Sequence, residues 1–175
     1  MRLIRLLPLA ATLLIVAGCD EDPLTTRGLE EPPPPTEGIQ AFLQVDNDRA
    51  QAGDQVHLYV KVQFGTQTDA QLGSFTGRLK FDPEAFRLSD AVEINDGLRV
   101  TNPNGAKDGE IRFAGAAPRG FENLTIFHGV FEVLEPGFAD ALTLEMEELS
   151  AAESLTDLQP QLKVAPQVFL RRNGN

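Results

Sequence analysis

Short runs in which apolar residues recur every second position, each closed by turn-forming residues, are repeated along the chain from residue 42 to residue 170. Val56, Leu58, Val60 and Val62 alternate with His57, Tyr59 and Lys61; Phe75, Gly77, Leu79 and Phe81 alternate with Ser74, Thr76, Arg78 and Lys80. A period of two is that of a strand, whose successive side chains point to opposite faces, so each run describes one buried and one wet face. Further runs are Phe42 to Val45, Phe86 to Val92, Leu98 with Val100, Ile111 with Phe113, Leu124 to Leu134, Leu142 to Met146 and Val164 to Leu170. Ala52-Gly53-Asp54, Asn95-Asp96-Gly97, Asn102-Pro103-Asn104-Gly105, Lys107-Asp108-Gly109 and Glu135-Pro136-Gly137 punctuate them. About nine short strands at this spacing, with no sustained helical period, predict an all-β antiparallel sandwich. Only Ser150-Ala151-Ala152-Glu153 breaks the pattern; its capping-box spacing fits either a single helical turn before Pro160 or a plain connecting loop.

The first 38 residues follow none of this. Arg2 and Arg5 precede an apolar run from Leu6 to Val16, and Ala17 and Gly18 stand before Cys19. A basic start, a short apolar stretch and small residues before a cut define residues 1–18 as an export signal, too short to remain as a spanning helix. The small residues directly before the only cysteine resemble the bacterial lipobox, which implies a diacylated Cys19 at the start of the mature chain. A lone cysteine in an exported protein has no internal disulfide partner, and lipidation accounts for it. Asp20 resembles an inner-membrane retention signal whose rule varies between lineages, so the choice of membrane stays open. Residues 19–38, acidic and with four consecutive prolines at 32–35, cannot bury enough surface to order themselves and read as a tether. Extended at about 3.1 Å per residue, it would reach on the order of 50 Å from the membrane. Residues 39–175 are of one-domain length.

The proline corner at Asp82-Pro83 ends the run from Gly73, and Phe86 and Leu88 open the next. This stretch, Gly73 to Leu88, resembles the third and fourth strands of cohesin domains, the dockerin-binding modules of cellulosome scaffolds. Ala52-Gly53-Asp54-Gln55-Val56 with the alternation that follows is similar to the family's second strand, Asp108 to Ala114 to its sixth, and Leu124 to Leu134 to its seventh. The resemblance spans residues 41–170 and implies a nine-strand jelly-roll sandwich. It also implies that the sheet of the third, fifth, sixth and eighth strands receives a protein partner. Where cohesins commonly carry Asn and Asp on the third strand, this chain has Ser74 and Thr76. Sandwich-type carbohydrate-binding modules and fibronectin-like domains share similar patterns, and fold alone does not fix function.

Catalysis finds no constellation in the sequence. His57 reads as a surface histidine on the second strand and His128 as one packed at a sheet edge, unrelated to each other, and the one thiol is assigned to the lipid. Asp46, Asn47, Asp48 and Asp54 offer hard oxygens but lack the glycine and terminal glutamate of an EF-hand loop, so a turn is expected there. Glu145, Glu147 and Glu148 read as a solvated face. No enzyme activity, cofactor or metal is therefore expected. Removing Arg2 and Arg5 with the signal takes the net charge from −11 to −13, which argues against nucleic acid as a partner.

The expected role is a membrane-anchored module that binds another protein, dockerin-like or another envelope protein. If the cohesin order holds, Ser74, Thr76, Arg78 and Lys80 on the third strand, Arg99 and Thr101 on the fifth and Arg112 on the sixth share one face. That basic cluster in an acidic chain is a candidate docking surface for an acidic partner. The alternatives are a polysaccharide-binding module, which the absence of tryptophan and the single tyrosine argue against, and a structural spacer.

Overall fold

The computed structural model describes residues 31–171, so the export signal, Cys19 and the first part of the tether lie outside the described residues. Nine strands follow in order: β1 (Ile39–Val45), β2 (Gln55–Phe64), β3 (Leu72–Lys80), β4 (Phe86–Ala91), β5 (Leu98–Asn102), β6 (Glu110–Ala116), β7 (Thr125–Val133), β8 (Thr143–Ala151) and β9 (Leu162–Leu170). Single 3-10 turns at Ala106–Asp108, Phe138–Ala141 and Gln159–Gln161 are the helical content among the described residues. A back sheet in the order β4-β7-β2-β1-β9 faces a front sheet in the order β5-β6-β3-β8. The pairing is antiparallel except between β1 and β9, which run parallel. The chain thus forms the expected all-β, nine-strand sandwich. The capping-box stretch starts no helix: β8 runs through Ala151, and the chain then turns through Glu153 and Leu155, both at positive φ.

The core lies between the sheets, where the period of two puts it. Val56, Leu58, Val60 and Val62 of β2 meet Phe75 and Leu79 of β3, Ile111 and Phe113 of β6, and Phe127, Phe131 and Val133 of β7. Phe81, 6% exposed, sits at the proline corner edge-on to Phe86 and Phe131, with both interplanar angles 85°. Phe86 in turn stacks on Phe131 at 4.3 Å and on Phe138 at 4.5 Å. The corner is tied to the turn ahead of β6, because Phe81 N donates to Gly109 O at 2.9 Å. Gly109 has φ +80°, and a Cβ there would stand 2.2 Å from the Phe81 carbonyl oxygen, so only glycine closes this turn.

A second, smaller cluster lies on the outer side of the back sheet. Phe42 pairs with Lys61 rather than with a core residue, which puts it on the outward face, yet it is 0% exposed. It meets Phe169 of β9 edge-on at 5.5 Å. Beside it, residues 31–38 belong to the fold, which corrects their reading as the end of a free tether. Glu31 pairs with Lys61 Nζ at 3.0 Å and accepts from Gln63 Nε2 at 2.9 Å. Thr66 N donates to Pro35 O and Gln67 N to Thr36 O, and Pro32 is buried. Prolines lack an N–H but keep their carbonyls, so a proline run can hold to a neighbouring loop as acceptor. We refer to residues 31–38 as the strap.

Candidate functional site

On the front sheet the ladder fixes which side chains share the outer face. One row is Leu98, Ala116, Ser74 and Ser150; the next is Val100, Ala114, Thr76 and Glu148; the next is Asn102, Arg112, Arg78 and Glu145. Their neighbours Phe75, Leu79, Ile111, Phe113 and Leu149 turn inward and are buried. Ala114 and Ala116 keep β6 low between its taller neighbours. The result is a hollow of about 250 Å³, lined by Leu98, Val100, Ala114 and Ala116 with Ser74, Thr76 and Glu148. Leu98 is 68% and Val100 58% exposed.

Beyond the hollow the face is charged but internally compensated. Arg78 lies 3.7 Å from Glu110, 3.4 Å from Glu145 and in contact with Glu147. Lys80 Nζ meets Glu145 at 2.6 Å, Arg112 Nε meets Glu110 at 2.8 Å, and Ser74 Oγ donates to Glu148 at 3.3 Å. The hydrogen bond from Arg112 holds the Glu110 carboxyl below the usual carboxylate range, with the charges of Arg78 and Lys80 adding to it. Ser74, Thr76, Arg78, Lys80 and Arg112 are therefore on one face, as expected from the sequence. They do not make a basic surface, because each cation there stands against a glutamate.

Arg99 and Thr101 are not on that face. Their register partners are Gly115 and Phe113, and they point to the inner side while Leu98 and Val100 point out. The reason is what lies beneath this edge strand: the loop ahead of β7 rather than the apolar face of the back sheet. Arg99 Nη1 donates to Thr125 O, Nη2 to Asn123 O and Asp96 Oδ2, and Nε to Asp96 O. Its guanidinium lies 4.4 Å from the Phe121 ring centre and 5.6 Å from that of Phe75. Burial lowers its pKa, opposed by Asp96. Arg99 is a clamp inside the sandwich, and Thr101 lines a cleft beside it with Ile94 and Ile126.

The two histidines are not unrelated, and His128 is not at a sheet edge. β7 lies between β4 and β2, and its His128 is the register partner of Tyr59. His57 Nδ1 and His128 Nε2 are 2.9 Å apart, and Tyr59 stacks on the His128 ring at 4.3 Å with the Arg171 guanidinium over its other side at 4.5 Å. The sequence gives no hint of this meeting, since the residues are 71 apart and only the β2–β7 pairing joins them. The acidic turn near β1 is built as expected: Asn47 Oδ1 accepts from Arg49 N, Asp54 Oδ2 from Gln51 N and Asp46 Oδ1 from His57 N.

Two sheets of five and four strands, with an exposed apolar hollow on the smaller one, define a jelly-roll sandwich. Solved structures of cohesin modules share this fold. A type I cohesin in complex with dockerin from Clostridium thermocellum matches with a TM-score of 0.52 at 16% identity, over 76% of this chain and 100% of that one. A non-cellulosomal cohesin from the archaeon Archaeoglobus fulgidus gives 0.52 at 17% identity, over 75% and 86%. The second type II cohesin module of an adaptor scaffoldin from Acetivibrio cellulolyticus gives 0.50 at 13% identity, over 75% and 94%. At such identities the likeness establishes the fold, which is that of a cohesin module. No protein-family model matches the sequence, and no curated protein does.

Proposed function

We propose that this chain is a non-catalytic, lipid-anchored binding module of the bacterial cell envelope, and that its protein partner docks on the outer face of the front sheet. The hollow beneath Leu98 and Val100 carries the reading. Two large apolar side chains held open to water on an edge strand contribute nothing to the core, and burying each against a partner is worth about 1.5–3 kcal/mol. Ser74, Thr76 and Glu148 supply polar groups at the rim of the hollow, and the compensated cations Arg78, Lys80 and Arg112 set register rather than attraction. Dockerin complexes of proteins with this fold, such as the Clostridium thermocellum one, support a protein as the ligand. Ser74 and Thr76 replace the residues common in cohesins at these positions, which favours a different envelope protein over a dockerin. A polysaccharide would call for an aromatic platform, and the single tyrosine is on the back sheet beneath Arg171.

The test is Leu98→Glu with Val100→Glu. Both side chains are exposed, so the variant keeps the wild-type melting temperature, while proteins crosslinked to the wild type in intact envelopes are lost from it. Undiminished crosslinking to the folded variant sinks the front-face assignment. Arg78→Glu with Arg112→Glu, which upsets register, weakens capture less than the apolar pair does.

A further inference from the structure

We propose that His57 and His128 form a two-imidazole site for a divalent late transition metal of the copper, nickel and zinc group. The chain has two histidines in 175 residues, and the fold brings their ring nitrogens to 2.9 Å. They stand on β2 and β7, neighbouring interior strands of the back sheet, diagonal to one another because His57 pairs with Val130 and His128 with Tyr59. One proton shared between the nitrogens fills that gap now, since a neutral imidazole has one donor and one acceptor nitrogen. A metal ion takes the place of that proton. With metal–nitrogen bonds of about 2.0–2.1 Å, two cis ligands of a tetragonal site are roughly 2.9 Å apart and two of a tetrahedral site roughly 3.3 Å. The first needs the rings to turn without separating, and the second opens them by a few tenths of an ångström. Both side chains are half-buried on the outer face, outside the core, so neither movement disturbs the core.

The surroundings favour the ligand form. Burial, then the charges of His57 and Arg171, hold His128 below the usual histidine range, with Asp46 opposing. Among the described residues no third carboxylate, thiol or imidazole joins the pair to complete a metal-binding group. The remaining positions go to water, which makes the site open and exchangeable rather than a closed structural one.

Tyr59 supplies the readout, because it is the only tyrosine, there is no tryptophan, and its ring lies 4.3 Å from that of His128. The full chain, in detergent, purified without a histidine tag and stripped with chelator, is titrated with copper(II). Tyrosine emission falls and levels off at one equivalent, and chelator restores it. Zinc(II) competes without quenching and raises the melting temperature. His57→Gln and His128→Gln each lose the saturable quench and the zinc shift. In the wild type, the electron paramagnetic resonance spectrum of the copper complex carries splitting from two equatorial nitrogens, a measurement that does not depend on how the variants fold. Quenching that never saturates, a quench that survives in either folded variant, or a spectrum with fewer than two nitrogens overturns the site.

Discussion

A guanidinium that donates to three backbone carbonyls and lies over two phenyl rings uses its planar fork, not only its charge. Arg99→Lys keeps the charge and loses the fork, so it should cost about 2–3 kcal/mol in denaturant unfolding. Arg112→Ala removes a side chain that is 55% exposed on the outer face and should cost within about 0.5 kcal/mol. Equal losses from the two would mean that Arg99 is not enclosed. His128 gives a pH effect whose sign follows from its depressed pKa. The folded state binds fewer protons there than the unfolded chain, so stability is full above the ordinary value of 6.5 and drains as pH falls through it toward the folded value. With chelator present, the melting temperature of the wild type should drop between about pH 7 and pH 5 more steeply than that of His128→Gln. Parallel curves would show that His128 does not titrate differently in the two states.

Strand β3 and its corner show what alternation settles. Phe81→Ala should cost about 3–5 kcal/mol, because its ring packs edge-on against both Phe86 and Phe131. Lys80→Ala, one position along and paired with Glu145 at the surface, should cost less than about 1 kcal/mol. Calorimetry that ranked the two the other way would reverse the register. The faces of β3 were legible because, from Ser74 to Lys80, polar residues alternate with Phe75, Gly77 and Leu79. Strand β5 was not legible for a physical reason. It has five residues at the end of a sheet, and what lies under it is a loop rich in free carbonyls, so the arginine goes in and the leucine comes out. Nothing within Leu98–Asn102 encodes which side meets that loop; Gly97 and Phe121, which build the place for Arg99, are the nearest signal. The hollow and the histidine pair escaped for the same reason, since both depend on which strands become neighbours. The sandwich, its turns and the facing of Ser74, Thr76, Arg78 and Lys80 depend only on local period and were legible, whereas Arg112 was placed beside them through the resemblance to the cohesin strand order, which the β3–β6 pairing bears out.

At the scale of the molecule, the proposed docking face is the outer side of the front sheet, and the strap that leads toward the proposed anchor lies against β2 of the back sheet. Cys19→Ser should move the protein from the membrane to the soluble fraction, whereas the wild type should resist a salt wash because its hold is acyl chain rather than charge. Retention of the serine variant in membranes would remove the lipid from the account. The strap gives the anchor a mechanical property. Among the described residues, tension applied from the amino-terminal side reaches Glu31 and its surface ion pair with Lys61 first, a contact worth no more than about 1 kcal/mol. It must then break the few hydrogen bonds from residues 66 and 67 one after another. Strand β1 behind them is held on both sides, by β2 and by β9. The strap therefore peels before the sandwich is loaded, paying out roughly 25 Å of chain at low force. In an optical trap, pulling from the amino-terminal side should give that small early extension ahead of a single large rupture. On the proposed anchoring, the eight residues of the strap would act as a slack line that takes up a short tug before it reaches the front face.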